Sequence, residues 1–354
     1  REAYDWFTRE LANLRTAFRW SADHADFDTA AAIAVNATFL GYMVEQWEPI
    51  AWAEELIPHA EAVQHPRLAQ LYVGASFCPA VGRADDFVGY AEAARAAIAS
   101  GRFDDVNEGF ECAVPAGYST TGRPDLAVEW CRATIARNPG IPTHAQAVMV
   151  IALAGIGATD EAMEASKDML AIAHAAGNPS LAGATLLAYG WARRQSDPTA
   201  AYEALRQAWT IAEESSNRQQ TSITAGLLSG LAAARGEFTD AFDYITQTTH
   251  HYYDSGAVEL MRVTLGTFLV VLLDRLGHHE PAATISGFAA DALARASFPE
   301  IEDAVAHLRE VLGEDGYAAR AQAGANMTNA EMATYAFDQI DLARANLVHT
   351  NESP

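Results

Sequence analysis

Two pairs of adjacent histidines, His250-His251 and His278-His279, are the residues in this 354-residue sequence best suited to metal chemistry. Two imidazoles share one helical face at a spacing of four residues, which neither pair has, and no HExxH motif occurs. We interpret both pairs as solvated helix ends, with metal binding as the less favoured alternative. The sequence therefore predicts no metal site and no cofactor.

Other patterns that serve catalysis are weak or missing. The GxGxxD pattern at residues 155–160 resembles a dinucleotide-binding loop, but no strand precedes it, so a turn between helices is favoured. Asp85-Asp86 is explained by the preference for acids in the first turn of a helix. No GxxxxGK[ST] phosphate loop and no GxSxG motif occurs. We predict that this segment has no catalytic residues and hydrolyses no ATP.

The composition excludes several classes of partner. The 46 acidic and 23 basic residues leave a net charge of −23, which would repel nucleic-acid phosphates. The longest strongly apolar run, residues 263–273, is too short to span a bilayer, so no membrane contact is expected. Cys78, Cys112 and Cys131 form no CxxC pair and are expected to be reduced, buried thiols in a cytoplasmic protein.

A repeated pattern organises the chain. Residues 157–195 read as two amphipathic helices, and Gly157 opens a Gly-x-x-acid-x-Ala pattern that returns at Gly122 and Gly277 and, more loosely, at Gly82 and Gly236. Ser196 takes the place of the glycine between Gly157 and Gly236. Successive copies of the pattern then begin 40, 35, 39, 40 and 41 residues apart. This is the period of a two-helix repeat. The predicted fold is an all-α solenoid of tetratricopeptide-like helical hairpins with a capping helix at each end.

The boundaries follow from this pattern. Residues 1–26 are predicted to form the N-terminal capping helix, and residues 27–298 the repeats. Residues 299–354 are predicted to form C-terminal capping helices and a junction to an output domain. Pro79 and Pro115 fall inside first helices of repeats and should kink them.

Residues typical of helix ends predict where individual helices begin and end. Gly177 is expected to end a helix in the left-handed conformation. Thr143 with Gln146, and Thr328 with Glu331, have the spacing of a capping box. The second box predicts a helix that begins at or near residue 329, with Met327 and Met332 as its hydrophobic staple.

Three segments carry a resemblance to a known family. They are Trp6-Phe7-x-Arg9-Glu10-Leu11-x-Asn13-Leu14-Arg15-x-Ala17-Phe18-x-Trp20, then Phe39-Leu40 through Trp52-Ala53-Glu54-x-Leu56, and a C-terminal stretch with Leu312-Gly313-Glu314, Gly316-Tyr317, Ala321 and Gly324. The first two resemble the opening of the tetratricopeptide-like region of bacterial STAND-type ATPase regulators. The third is similar to the junction with a DNA-binding domain in LuxR-type members. Because the sequence begins inside an apparent helix, we expect a piece of such a parent, some actinobacterial relatives of which carry a nucleotide cyclase.

The resemblance also implies a binding surface, since the first helix of each pair lines the concave face of such arrays. The implied lining helices are residues 107–121, 142–156, 179–195, 219–235 and 258–276. The inward-facing candidates are Ser119, His144, Arg193, Arg194, Thr267, Asp274 and Arg275. The glycines on the same face are Gly183, Gly190, Gly226 and Gly230, which either leave room for a ligand or, more commonly, allow tight helix packing. Arg193 and Arg194 either bind an anionic group or, as the favoured alternative, form ordinary ion pairs.

The sequence hypothesis is a non-catalytic ligand-sensing and protein-interaction module of a STAND-type transcriptional regulator. Its expected partners are a protein, a peptide or a small-molecule effector in the concave groove, together with the ATPase domain of the same parent chain. Two alternatives stay open. One is a helical-repeat enzyme, which would need two convergent acids or a histidine-acid pair in the groove, and the other is a free-standing adaptor scaffold.

Overall fold

The computed structural model describes residues 1–289, 298 and 300–351, with side chains up to residue 347. Every regular element in these residues is a helix, and consecutive helices pack as hairpins. The predicted all-α fold of sequential helical hairpins is therefore confirmed. The chain divides into two compact units, unit 1 (Arg1–Thr221) and unit 2 (Ser222–Pro354).

Unit 1 is a series of helices, most of which pack on the next along the chain. They are α1 (Glu2–Asp23), α2 (Phe27–Val44), α3 (Glu48–Val63), α4 (Leu68–Ala75), a 3-10 turn (Cys78–Val81), α5 (Ala84–Ser100), α6 (Glu108–Glu111), α7 (Ala113–Thr120), α8 (Pro124–Arg137), α9 (His144–Gly155), α10 (Thr159–Ala165), α11 (Met169–Ala175), α12 (Pro179–Arg193), α13 (Pro198–Ser215) and the start of α14 (Arg218–Arg235). Helices α2, α4, α6–α7, α9 and α12 also contact one another in that order, and we call them, with α14, the inner helices.

The repeat glycines form the turns between paired helices. Gly82, Gly122, Gly157, Gly236 and Gly277 have φ values between 76° and 81°, a left-handed conformation that costs glycine nothing because it lacks a Cβ. The residue after each glycine donates its N–H to a carbonyl five residues earlier, as from Arg123 to Tyr118 at 2.8 Å and from Ala158 to Leu153 at 2.9 Å. The helix-turn interpretation of residues 155–160 is thus confirmed.

The helix predicted between Gly157 and Gly177 is interrupted, and the assignment of Gly177 was wrong. The structure has two helices there, α10 and α11, separated by a turn at residues 166–168. The backbone of Gly177 lies outside the left-handed region. Ser166 is completely buried in this turn. Its hydroxyl donates to the Met163 carbonyl at 2.9 Å and accepts from Arg193 Nη1 at 2.6 Å. This hydrogen-bonded serine stabilises the turn where sequence periodicity indicated one helix.

Pro79 and Pro115, the two prolines predicted to kink helices, both coincide with breaks, which confirms that they disturb those helices. Pro79 lies in the 3-10 turn after α4 has ended, so that helix is shorter than predicted. Pro115 lies in the first turn of α7, and the interruption at Cys112 separates α7 from α6. A proline at this position removes the N–H that would bond to the carbonyl of Glu111.

Helix α2 is the most apolar long helix of the described residues, with a mean hydropathy of 1.3. Its length and composition would suffice to cross a bilayer, which the sequence analysis did not predict. In the structure α2 packs against α1, α3 and α4, and half of its residues are buried inside the protein. Its apolar surface is therefore accounted for by the core of unit 1.

Unit 2 comprises the rest of α14 and the helices that follow. They are α15 (Phe238–Ser255), α16 (Val258–Thr264), a π-helical turn (Leu265–Leu269), α17 (Val270–Arg275), α18 (His279–Phe288), α19 (Glu300–Ala325) and α20 (Asn329–Asn351). Helix α19 is interrupted at Gly313, whose φ is 72°. Helices α18 and α19 make the most extensive helix-helix contact of the unit.

The capping box that opens α20 is confirmed. Glu331 Oε2 accepts from the backbone N–H of Thr328 at 2.8 Å, and the N–H of Glu331 donates to Thr328 Oγ1 at 3.3 Å. The helix begins at Asn329, and Met332 and Ile340 on its apolar side are buried. The Thr328 N–H and the Thr328 hydroxyl, which also donates to Glu331 Oε2 at 2.8 Å, lower the pKa of Glu331 and so favour the carboxylate that the box needs.

We expect Thr328→Ala to destabilise unit 2 by about 0.5–2 kcal/mol, the range measured for loss of an N-cap side chain. Urea denaturation followed by circular dichroism measures the change. Thr334→Ala in the next turn is the matched control, because the Thr334 hydroxyl bonds only to the Ala330 carbonyl of its own helix, at 2.9 Å. Equal stability of the two variants would contradict a capping role for Thr328.

Candidate binding surface

Polar side chains meet at the starts of successive inner helices in unit 1. Glu108 is the first residue of α6, His144 the first of α9, and Ser180 the second of α12. Glu108 Oε2 lies 3.2 Å from His144 Nδ1, and His144 Nε2 lies 3.3 Å from Ser180 Oγ. The residues are 36 positions apart in each step. Stacking of equivalent repeat positions therefore brings them together.

Hydrogen bonds that cap α6, α9 and α12 position these three residues. At the start of α6, Asn107 Oδ1 accepts from the N–H of Gly109 at 3.0 Å. At the start of α9, Gln146 Oε1 accepts from the N–H of Thr143 at 3.0 Å. Asn178 Oδ1 accepts from the N–H of Ser180 at 2.9 Å. Because these contacts satisfy backbone donors that a helix start leaves open, the sequence places a helix start at each point.

The row extends to a fourth inner helix. Gln220, in the first turn of α14, donates from Nε2 to the Ser180 carbonyl at 2.8 Å. A Cβ on Gly183 would lie 2.4 Å from Gln220 Oε1, so only glycine leaves space for this amide. We call Glu108, His144, Ser180 and Gln220 the polar row. Gln220 is buried, whereas the other three members are partly exposed.

The start of α14 also contacts the end of α2. Gln219 Nε2 donates to the Tyr42 hydroxyl at 3.0 Å, Asn217 Nδ2 contacts Met43 Sδ at 3.7 Å, and Arg218 Nε lies 3.8 Å from Glu45 Oε2. The Glu45 side chain has no exposed surface. Burial raises the pKa of Tyr42, so its hydroxyl stays protonated. Within unit 1, the start of α14, the last inner helix, thus contacts the end of α2, the first.

Aromatic rings line the first three inner helices. Tyr42 and Phe77 have ring centroids 4.5 Å apart, and Phe110 lies 5.5 Å from both Phe39 and Phe77. Phe110 is two residues from Glu108, so the aromatic group adjoins the polar row. Phe77 and Phe110 are only 5% and 2% exposed and belong to the core, so the aromatic surface of the inner helices comes from the partly exposed rings of Phe39 and Tyr42 beside them. This combination suits a ligand with both apolar and polar parts.

The charge state of Glu108 follows from its surroundings. Burial by itself would raise the pKa of this carboxyl. The hydrogen bond and charge of His144, with the Ala145 N–H that donates to Glu108 Oε1 at 3.1 Å, outweigh burial and lower the pKa. Glu108 is consequently a carboxylate at neutral pH, able to orient the His144 ring through Nδ1.

We expect Glu108→Gln to flatten the acid side of the stability curve of unit 1. A folded-state pKa below the ordinary value of 4.5 means that the carboxylate stabilises the fold above that value. This contribution is lost as the pH falls from 4.5 through the lowered pKa, and the glutamine variant has no such loss. Urea midpoints measured across this pH range test the slope.

Glu129→Gln is the matched control for that series, because the Glu129 side chain is 68% exposed and the change likewise removes one negative charge. An acid slope of the Glu108→Gln protein equal to that of the wild type would show that Glu108 has no such coupling.

The predicted site residues of unit 1 have separate partners. His144 belongs to the polar row, and Ser119 donates to the Pro115 carbonyl of its own helix at 3.1 Å. Arg193 bonds to buried Ser166 and lies 3.8 Å from the Tyr189 ring centroid, while Arg194 donates to the Trp191 carbonyl at 3.1 Å. These contacts tie both arginines to the helices around them, and a role in anion binding stays a prediction.

The other three predicted residues belong to unit 2. Thr267 is buried within the π-helical turn, and Arg275 is exposed at the end of α17. Asp274, which is largely buried, accepts hydrogen bonds from His279 and His307. His279 therefore contacts an acid rather than being a solvated helix end. His250 stacks on Phe337 with centroids 4.0 Å apart.

The glycines on the predicted lining face serve close helix packing. A Cβ would meet Leu205 at 2.6 Å from Gly190, and the Phe268 ring at 2.8 Å from Gly226 and at 3.4 Å from Gly230. Neighbouring side chains thus fill the space beside them. The favoured interpretation, tight packing, is confirmed at Gly183, Gly190 and Gly226, whereas a Cβ at Gly230 would make an ordinary contact.

Three members of the polar row were missed by reasoning from the sequence. Glu108, Ser180 and Gln220 were not among the candidates, although each lies within the first turn of an inner helix. The available signal was the spacing: positions 108, 144 and 180 repeat at 36 residues. Counting back from the turn glycines emphasised the ends of the helices, whereas the contacts form at their starts.

The cysteines are free and buried, as predicted. Burial raises the pKa of Cys78 to about 12 and also raises the pKa of Cys112 and of Cys131. A separate apolar groove of about 460 Å³ lies between α1 and α2, lined in part by Trp6, Leu14 and Ile33.

Comparison with known proteins assigns no family. The chain matches no protein-family model and no curated protein. One similar solved structure is described as a circular tandem repeat protein with novel repeat topology and enhanced subunit contact surfaces. It shares 13% identity over 99% of this chain and 92% of that chain, with a TM-score of 0.22. That score is too low to support an argument about arrangement or function. The helices and turns described above make this chain an all-helical repeat protein.

Proposed function

We propose that this chain is a non-catalytic ligand-sensing and protein-interaction module, of the type that STAND-type ATPase regulators carry behind their nucleotide-binding domain. Its partners would be an effector on the inner helices of unit 1 and the ATPase domain of the same parent. In this role the segment itself hydrolyses no ATP and acts in the cytoplasm.

The observation that supports the proposal is the polar row. Equivalent positions on four inner helices bring together a carboxylate, an imidazole, a hydroxyl and an amide, of which only the Gln220 amide is buried. The His144 and Glu108 side chains are only 16% and 23% exposed, so a ligand would meet groups that are already oriented. Helical repeats generally use such surfaces for recognition.

The family assignment is tested by the native reading frame. A GxxxxGK[ST] phosphate loop encoded upstream of residue 1 is the expected result, and a start codon adjacent to residue 1 would overturn the STAND proposal. The sensing role is tested in the parent protein by measuring ATP hydrolysis with His144→Ala and, as control, His174→Ala, which is exposed on α11. We expect only the first to change regulation of the ATPase.

A second candidate function rests on the same geometry. Ser180, His144 and Glu108 are connected as a hydroxyl, an imidazole and a carboxylate, the order found in serine hydrolases. The histidine-acid pair that the enzyme alternative requires is therefore present. Binding is the favoured function, because the row continues to Gln220 and the Ser180 N–H is already bonded to Asn178, leaving that donor unavailable for an oxyanion.

A fluorophosphonate probe separates the two functions, since it labels only an activated serine. We expect no labelling of the wild type. Labelling that is lost in Ser180→Ala and retained in Ser119→Ala would establish the hydrolase instead, because Ser119 bonds only to its own helix.

A further inference from the structure

A histidine-acid cluster joins three helices of unit 2. Asp274 is near the end of α17, His279 begins α18, and His307 lies in the first half of α19. The Nδ1 atoms of His279 and His307 lie 3.2 Å and 3.0 Å from Asp274 Oδ1, and His307 Nδ1 is also 3.1 Å from Oδ2. The side chains are 11%, 25% and 49% exposed for Asp274, His279 and His307, so the cluster opens to solvent on the α19 side.

The distances match those between ligands of one small cation. In a tetrahedral zinc site with bonds of about 2.0–2.1 Å, neighbouring ligand atoms are about 3.3 Å apart. Both nitrogen–oxygen distances lie close to that value, and the three ligand atoms are all within 4.8 Å of one another. Since His307 is half-exposed, its ring can complete the approach without disturbing a buried contact.

The ligand types select the kind of metal. Two imidazole nitrogens and one carboxylate are typical of zinc and other first-row divalent ions, whereas Ca²⁺ and Mg²⁺ prefer oxygen ligands throughout. We propose that Asp274, His279 and His307 bind one Zn²⁺ ion, with the fourth position open to water or to an exogenous ligand. Three protein ligands and one open position distinguish such a site from a closed structural site.

Without a metal, both imidazoles direct the same ring nitrogen at a single carboxylate. The two Nδ1–H groups then share Asp274, while with zinc the same three atoms become ligands. A bound ion would connect α17, α18 and α19, which already contact one another. This proposal does not depend on the function proposed for unit 1, and it takes up the metal-binding alternative that the sequence analysis had favoured less.

Calorimetric titration of the EDTA-treated full chain with Zn²⁺ tests the proposal. We expect one equivalent to bind to the wild type, with at least about tenfold weaker binding for His307→Ala and Asp274→Asn. His278→Ala is the matched control, because it removes the adjacent histidine of the same pair and should bind as the wild type does. The melting temperature should rise with Zn²⁺ in the wild type and the control only.

Three outcomes would overturn the site. These are no stoichiometric zinc binding by the wild type, binding unchanged in His307→Ala, which would indicate adsorption to the acidic surface, or binding lost equally in His278→Ala, which would show that the loss is not specific to the three proposed ligands. His307→Ala keeps the proposal testable even if Asp274→Asn misfolds, because the His307 side chain is half-exposed on α19. Co²⁺ absorption supplies a second readout, since tetrahedral nitrogen and oxygen ligation gives visible bands that the variant should lose.

Discussion

Replacing Glu111 by alanine is expected to lower the free energy of unfolding of unit 1 by about 2–4 kcal/mol. The Glu111 carboxylate is 4% exposed between α6 and α8. Its Oε1 accepts from Trp130 Nε1 at 2.8 Å and from Thr134 Oγ1 at 2.7 Å, and Arg137 donates to the same oxygen. The variant leaves the Trp130 indole N–H without an acceptor, which costs about 1–3 kcal/mol for a buried group, while the Thr134 hydroxyl loses its shorter bond and keeps the Trp130 carbonyl at 3.2 Å.

The ion pair adds less than a fully buried one would. Breaking a buried pair by removing one partner costs about 3–5 kcal/mol because a charge stays unpaired. Here the Arg137 side chain is 45% exposed and can be hydrated once Glu111 is gone. We therefore expect the loss of the Trp130 and Thr134 hydrogen bonds to dominate, and Glu111→Gln, which keeps an acceptor, to be the milder change.

Urea denaturation of the Glu111→Ala protein measures this effect. Glu129→Ala is the matched control, because Glu129 lies on α8 itself and its side chain is 68% exposed. We expect the control to change stability by at most about 1 kcal/mol, as for other surface ion pairs. A Glu111→Ala protein as stable as this control would show that the buried network contributes little.

The second large effect is expected in unit 2, where Gly324→Ala should destabilise the unit by about 3 kcal/mol, the upper part of the range for overpacking. A Cβ at Gly324 would lie 1.8 Å from the Thr284 carbonyl oxygen, and one at Gly287 would lie 1.9 Å from that of Ala321. Helices α18 and α19 approach at both points with no side chain between them. Because the opposing atoms belong to the backbone, the helices would have to move apart.

Gly316→Ala in the same half of α19 is the matched control. The nearest atom to its added Cβ would be the Leu312 Cβ at 3.6 Å, an ordinary contact. The helix propensity of alanine should then stabilise the protein by up to about 1 kcal/mol. Thermal melts of the two variants should shift in opposite directions. A shift of the same sign and size for both would contradict the close approach of α18 and α19.

The two proposed sites can be tested independently of each other. The polar row lies in unit 1 and rests on His144, whereas the zinc site lies in unit 2 and rests on Asp274 and His307. His144→Ala should leave zinc binding unchanged, and His307→Ala should leave the acid slope of unit 1 unchanged. The failure of one proposal would therefore leave the other standing.

Helix turns and caps could be predicted from the sequence because the residues that form them are close along the chain. The turns at Gly122, Gly157 and Gly277 follow from the freedom of glycine at positive φ, and each recurs where the repeat pattern predicted it. The capping box of Thr328 and Glu331 spans three residues and forms with the predicted bonds. From such signals the all-α repeat fold could be derived without coordinates.

Only the tertiary structure decided which side chains meet. Glu108, His144 and Ser180 are separated by 36 residues at each step, and His307 lies 33 residues from Asp274. The stagger between packed helices sets such contacts, and helical periodicity within one repeat contains no information about that stagger. The sequence therefore determined the helices and their turns, while helix packing selected the polar row and the histidine-acid cluster.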